Sequence, residues 1–325
     1  MKATPGYPLC RNYPTIGDLL GFDGFRCDPL RVENLMNQFY YWLSDPVSYP
    51  FRVFIKDEPH KQSKIDQNRW RLIFGSFVYL QILEHALYGK MDELEADNQW
   101  RLPTKNRWQP FWGGAAMCKS SFDDPVSMDK TCWDWTVSEL IVELDYEFRK
   151  RLVVAPPSWY WYHELVHKIG FQQSKFVFSS GLILEQQFVG LMKSGLVRTL
   201  STNGHGQYFI HLLSEMACGH HYPFWCLGDD TIMNSPCDLY LEETKKYCLL
   251  KQIDYGHEFA GFDLSCIQPL YWSKHYARLL YADEETLPEV LAAYQRLYVY
   301  APNKLRLIQR LLQELDITLV RSEGY

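Results

Sequence analysis

Gly228-Asp229-Asp230 lies between Phe224-Trp225-Cys226-Leu227 and Thr231-Ile232-Met233, two short runs of residue types suited to half-buried strands. The pattern predicts a β-hairpin over 224–233, with Gly228 taking the positive-φ geometry of a tight turn. Two neighbouring carboxylates at a hairpin tip repel each other, and a pair of divalent cations is one arrangement that stabilises them; a solvated acidic turn is the plainer alternative. Gly-Asp-Asp arises by chance in roughly one chain in fifteen of this size, so its meaning depends on its company. A second acidic pair, Asp129 and Asp134, falls at the end of a strand predicted over 126–130 and one turn later. A third constellation, Ser194-Gly195-x3-Thr199-x3-Asn203, reads as a flexible turn leading into a helix that runs to about residue 217. Thr199 and Asn203 are four apart and share one helix face, which also suits a plain N-terminal cap followed by a solvated polar face. Gly204 and Gly206 disfavour that helix by about 1 kcal/mol each, and fit close approach of another backbone or a ligand.

The stretch 56–73 carries five cations, Lys56, Lys61, Lys64, Arg69 and Arg71, between two apolar strand-like runs. A hairpin arm with such a face can line an anion channel, although most charge runs are solvated surface. His163-Glu164-x-x-His167 has the spacing of a zinc protease helix, and Gly170 extends the match; Gln173 stands where the longer pattern needs a third histidine. The protease reading is therefore the weaker one.

Around these residues, the composition is that of an ordinary folded protein: 325 residues, 47% hydrophobic, enough for one large unit or two to three subdomains. Nine scattered cysteines without a CxxC pair fit a reducing, cytosolic setting. A net charge of −6 means that any nucleic-acid contact must come from a local basic channel. No apolar run approaches the ~18 residues that cross a bilayer, and the start Met1-Lys2-Ala3-Thr4-Pro5-Gly6 is no signal peptide.

Periodicity and punctuation predict helices over 16–20, 29–43, 77–94 and 137–152, the last stopped by Pro156-Pro157. A strand is expected over 51–55, and 100–112 reads as a loop whose aromatics and cations either meet bases or pack. After the central hairpin come a helix over 239–248, a strand over 249–253 and a hairpin over 258–264. Three amphipathic helices over 273–282, 287–300 and 304–315 form a small helical subdomain.

In this order the motifs resemble the palm of viral RNA-dependent RNA polymerases of positive-strand RNA viruses, in particular the sobemovirus, polerovirus and sobemo-like group. The resemblance covers most of the chain. Thr4, Pro5 and Gly6, with Tyr7-Pro8, look like motif G, at which the template enters. Lys56, Lys64 and Arg71 stand at the cationic positions of motif F. Asp129-x4-Asp134 matches motif A, Ser194 to Asn203 motif B, Gly228-Asp229-Asp230 motif C, and 258–262 motif E. The resemblance implies an α+β fold of right-hand polymerase architecture. Its expected parts are fingers over 1–125 (with part of the palm within 74–95), palm over 126–145, a fingers insertion over 146–190, palm over 191–265, and a thumb over 266–325.

The implied activity is RNA-directed RNA synthesis from ribonucleoside triphosphates through two Mg2+ ions, for which Mn2+ substitutes, held by Asp129, Asp229 and Asp230. Lys56, Lys64 and Arg71 would neutralise the triphosphate, and Asp134, Thr199 and Asn203 would read the ribose 2′-hydroxyl, with Ser194 and Gly195 beside them. Lys251 is the expected general acid for pyrophosphate, with Lys245 and Lys246 competing for the role. The implied partners are an RNA template and nascent strand and other viral replication proteins, in membrane-associated complexes of the host cytoplasm.

Three departures from the family stand out. His60 replaces an arginine of motif F, no fingertip segment precedes motif G, and the tail is short for a thumb, which suggests a truncated chain. Three rivals remain: a reverse transcriptase, a zinc protease through His163 and His167, and a non-catalytic RNA-binding remnant.

Overall fold

The hairpin expected around Gly228 forms. Phe224–Leu227 and Asp230–Asn234 pair antiparallel with Cys226 opposite Thr231, and Gly228 turns at φ +62°. A computed structural model describes residues 2–317 of the chain, so the last eight residues of the expected thumb lie outside the described part. The hairpin is one edge of a four-stranded antiparallel sheet, continued by Pro125–Lys130 and then Leu250–Tyr255. Strand alternation sends Trp225 and Ile232 to one face, against Trp108, Phe122 and Phe259. Phe224, Cys226 and Met233 go to the other, with Val126, Met128 and Tyr240. Both faces are therefore covered, and only the tip of the hairpin is left to water.

A second sheet has the order Leu72–Gly75, Phe51–Ile55, Lys175–Val177, Ile183–Glu185. The last two strands have three residues each, too short for any periodicity to announce them. Between the first two, the basic stretch is not a plain hairpin arm, because the short helix Gln62–Asp66 interrupts it. In the loop over 100–112, Lys105 and Trp108 pack, while Trp100, Arg101, Arg107 and Trp112 stay exposed. Lys105 is buried, donates to the carbonyls of Gln99 (2.6 Å) and Leu102 (2.5 Å), and lies 4.2 Å from the centre of the Trp225 ring. The tail forms helices Trp272–Leu280, Leu287–Leu297 and Pro302–Glu314 around a core of their own at Leu291, Tyr298 and Ile308. No helix among the described residues is long and apolar enough to cross a membrane.

The helix Thr199–Cys218 runs through the middle of the molecule, and its glycines serve packing rather than a ligand. A side chain at Gly206 would meet Ile141 at 2.8 Å, and one at Gly204 would meet Thr104 at 3.2 Å. Polar contacts fix the same helix on two sides. Asp145 of the helix Glu139–Leu152 accepts from His205 Nδ1 (2.6 Å), Thr202 Oγ1 (2.9 Å) and Arg149 Nε (3.0 Å), while Arg149 donates to Ser201 Oγ at 2.8 Å. From the helix Val78–Asp97, Glu95 meets His205 Nε2 at 3.2 Å, and Glu84 pairs with Arg198 at 3.1 Å with both side chains fully buried. Such groups are tolerated inside because each charge has a partner, and removing one partner typically costs about 3–5 kcal/mol.

Burial works against a charged His205, yet hydrogen bonds to Asp145 and Glu95 raise its pKa above the ordinary 6.5. A cation favoured by folding contributes its stability in full below the unfolded value and loses it as pH rises through the folded one. The urea midpoint is therefore expected to fall as pH is raised above 6.5, and His205→Asn should flatten that fall. An equal slope in the variant would assign the pH dependence to other groups.

Candidate active site

Asp129 and Asp230 face each other across neighbouring strands. The pairs Pro125 with Asn234, Val126 with Met233 and Ser127 with Ile232, continued by two residues, bring Asp129 level with Asp230. Asp229 completes the turn beside them. Partial desolvation of a side chain that still reaches solvent, and then repulsion from Asp229 and Asp129, push Asp230 up to about 6. Asp134 is also raised to about 6, by burial and by Asp229. Four carboxylates thus share one field, and the crowding is what the tip of the hairpin is built to hold.

Lys251 reaches this group through an irregularity of the sheet. Asp129 pairs with Gln252 and Lys130 with Leu250, so Lys251 is the extra residue of a β-bulge. The bulge carries its ammonium to 2.6 Å from Asp129 Oδ2, and that hydrogen bond raises the lysine pKa. Of the competitors, Lys246, in the turn after the helix Asp238–Thr244, is paired with Glu243 of that helix. Beneath the carboxylates, Lys130 is buried and donates to Thr231 Oγ1 at 2.7 Å; burial pushes it down to about 8. Sequence reading missed Lys130, because a lysine on a strand ordinarily points to water.

The residues of the turn and helix over 194–203 part company. Asn203 accepts from Trp133 Nε1 through Oδ1 at 2.9 Å, which leaves its amide nitrogen to donate to Asp134. Asp134 and Asn203 therefore form one oriented pair, held by a buried indole seventy residues away in sequence. The Thr199 hydroxyl is directed into its own turn, donating to the carbonyls of Lys193 and Leu196 at 2.7 Å each. Ser194 and Gly195 lie against the strand Leu72–Gly75. Phe74 N donates to Ser194 Oγ at 3.3 Å, and a Cβ on Gly195 would stand 1.9 Å from the Phe74 carbonyl oxygen. Gly6 (φ +71°) closes on Ser76 in the same way, at 2.2 Å, and Pro5 O accepts from Val78 N at 2.9 Å. Thr4 Oγ1 accepts from Gly6 N at 3.2 Å. The two loops are stacked on one strand end, with Ser76 Oγ donating to Gly195 O at 2.7 Å.

Glu58 organises the cationic stretch, and no spacing rule singled it out. It meets Arg71 at 2.9 Å, Lys56 at 3.2 Å and Lys274 of the helix Trp272–Leu280 at 2.8 Å. Burial would raise its pKa, but hydrogen bonds from Lys274 and Lys56 and the charge of Arg71 hold it at about 2. Lys56 and Arg71 thus arrive ordered and partly neutralised, while Lys64 is on the exposed helix Gln62–Asp66.

His163 and His167 do not build a metal centre. His163 stacks on Tyr146 at 4.5 Å, with Nδ1 hydrogen-bonded to Tyr88 Oη at 2.7 Å and Nε2 to the Tyr146 carbonyl at 3.0 Å. His167 pairs with Glu143 at 2.9 Å, and Glu164 points to solvent with Lys168. Burial pushes His163 down to about 4, so it packs as a neutral ring.

The fold is that of a viral RNA-dependent RNA polymerase: a Sicinivirus 3Dpol RNA-dependent RNA polymerase superposes with a TM-score of 0.73 at 17% identity, over 97% of this chain and 72% of that one. In sequence, the chain is similar to the replicase polyprotein P2AB of Southern bean mosaic virus, 30% identical over 263 residues that make up 71% of this chain and 25% of the relative. It is also 27% identical to protein P2-P3 of Poinsettia latent virus over 300 residues, 83% of this chain and 26% of that protein. The resemblance read from the order of motifs is borne out. The chain spans about a quarter of the length of these curated relatives. No protein-family model matches it.

Replacing Glu58 with Gln should detach the basic stretch from the helix Trp272–Leu280. Trypsin cleavage at Lys61, Lys64 and Arg69 is expected to quicken by about fivefold, in line with the ~1 kcal/mol typical of a shared ion pair. Unchanged cleavage would show that backbone pairing alone holds the stretch.

Proposed function

We propose that the chain is the catalytic part of a viral RNA-directed RNA polymerase, extending RNA on an RNA template from ribonucleoside triphosphates during replication of a positive-strand genome. What carries the proposal is the convergence of Asp129, Asp229 and Asp230 on one sheet edge with the Asp134–Asn203 pair beside it. The division into fingers, palm and thumb follows the boundaries given above, and RNA, triphosphates and other viral replication proteins are the proposed partners, in host cytoplasmic complexes.

The donor set fits Mg2+, or Mn2+ in its place. Carboxylate oxygens are hard ligands, and the pKa values of about 6 at Asp230 and Asp134 mark a cluster short of positive charge. Asp129, Asp229 and Asp230 would hold the ions, which when bound supply Lewis-acid activation of the attacking and leaving oxygens. The chain's own residues do the rest. Lys56, Lys64 and Arg71 draw the triphosphate in and neutralise it. Lys251, kept protonated by Asp129, is placed to give a proton to the departing pyrophosphate. Asn203, with Oδ1 committed to Trp133, turns its amide toward Asp134, and the pair offers a fixed donor and acceptor to a ribose hydroxyl. A polar pair at this point favours a ribonucleotide polymerase over a reverse transcriptase, in which bulk would exclude the hydroxyl.

A deoxynucleotide would leave this pair unsatisfied, which typically costs about 1–3 kcal/mol, or roughly ten- to hundredfold in rate. Asn203→Ala should slow ribonucleotide incorporation far more than deoxynucleotide incorporation, so that the ratio of the two collapses. Asp134→Ala should do the same, with the double variant costing less than the sum of the singles. Incorporation of each nucleotide at fixed magnesium measures this. Equal losses of both activities would mean that the pair only shapes the palm.

A further inference from the structure

The hairpin that carries Asp229 and Asp230 has a second end, about 13 Å from its tip by strand rise. There the chain leaves the helix Thr199–Cys218 and, beyond the hairpin, enters the helix Asp238–Thr244. Among the described residues, Cys218, His220 and Cys237 are the one trio of histidine, cysteine or acidic side chains whose ligand atoms all lie within 4.8 Å of one another. We propose that these three residues bind a structural zinc ion that clamps the base of the hairpin, a role independent of the polymerase reading.

The donor chemistry selects the metal. Two thiolates and an imidazole suit zinc and reject magnesium, the reverse of the all-carboxylate group at the tip. Zinc–sulfur bonds of about 2.3 Å and zinc–nitrogen bonds of about 2.0 Å bring ligand atoms to about 3.5–3.8 Å from one another, so each needs to move by less than about 1 Å. Half-buried and exposed side chains make such a movement without disturbing the core.

The backbone already holds the three residues in place. Gly219 ends the helix in the left-handed conformation, φ +71°, which folds His220 back beside Cys218. His220 Nδ1 hydrogen-bonds to the Cys218 carbonyl oxygen at 3.0 Å and orients the ring. Cys237 is anchored by its own amide, which donates to the Tyr222 hydroxyl at 3.1 Å. The Cys218 thiol lies 3.6 Å from the carbonyl oxygen of Glu215 and 3.8 Å from that of His220, and it also hydrogen-bonds with the Cys237 side chain, so the two sulfurs already face each other. Solvent takes the fourth position. Because the segment from Cys218 to Cys237 contains the whole hairpin, a metal bound only by the folded arrangement of the three ligands stabilises that arrangement and steadies the strands behind Asp229.

The test is metal analysis of the full chain, purified with reductant and supplied with zinc. One zinc per chain is expected, and cobalt in its place should give the absorption of thiolate-to-cobalt charge transfer. Cys218→Ser and Cys237→Ser should each abolish both signals, while Cys266→Ser, an exposed thiol elsewhere, keeps them. Chelation should lower the melting temperature of the parent chain and leave that of either variant unmoved. Should a variant fail to fold, the parent chain still decides: zinc should protect two thiols from alkylation, and chelation should release them. No bound zinc, zinc retained in both variants, or a Cys218–Cys237 disulfide found by mass would overturn the proposal.

Discussion

Everything at the active edge depends on the way a set of buried charges fixes the helix Thr199–Cys218. Arg198, Ser201, Thr202 and His205 are each bonded to a charged group on another helix, and Asn203 is in the middle of that run. An apolar interface would tolerate small slips of the helix. Hydrogen-bonded ions do not, since a displacement leaves an unpaired charge in a dry interior. The consequence is that Asn203 meets Trp133 and Asp134 in a single register, while Gly204 and Gly206 allow the neighbouring side chains to close in.

Against that fixed helix, the hairpin works under opposite conditions. Its strands are covered on both faces, but its tip carries carboxylates that raise each other's pKa. Such crowding stabilises nothing in the chain alone, and the proposed cation site rests on it. The positive charges are distributed to match. Lys251 comes in through a bulge, Lys130 from below, and Lys56 and Arg71 are held ready by Glu58, which also joins the basic stretch to the tail helices.

Much of this was legible from residue types. The hairpin, the strand before Asp129 and the amphipathic tail follow from alternation, a turn glycine and helical spacing, all of which are local. What stayed hidden was long-range. Nothing near Asn203 announces Trp133, nothing near Gly195 announces the Phe74 carbonyl, and the bulge that turns Lys251 toward Asp129 arises from pairing between strands far apart in sequence. Gly204 and Gly206 were legible as a close approach, yet not as one made by side chains of the protein itself. Glu58 was visible only as an acid among bases, and its partner Lys274 is more than two hundred residues away. The His163 motif is the reverse case, a spacing that looks chemical and is, as expected, a stacked, hydrogen-bonded core.

The central claim is that the crowded carboxylates serve template-directed RNA synthesis. It is tested most directly by supplying the full chain with a primed homopolymer of adenylate, magnesium and each labelled ribonucleotide in turn. The account predicts incorporation of uridylate alone, dependent on the template and abolished in Asp229→Ala without loss of folding. Incorporation that ignores the template, or that survives in the folded Asp229→Ala protein, would contradict it.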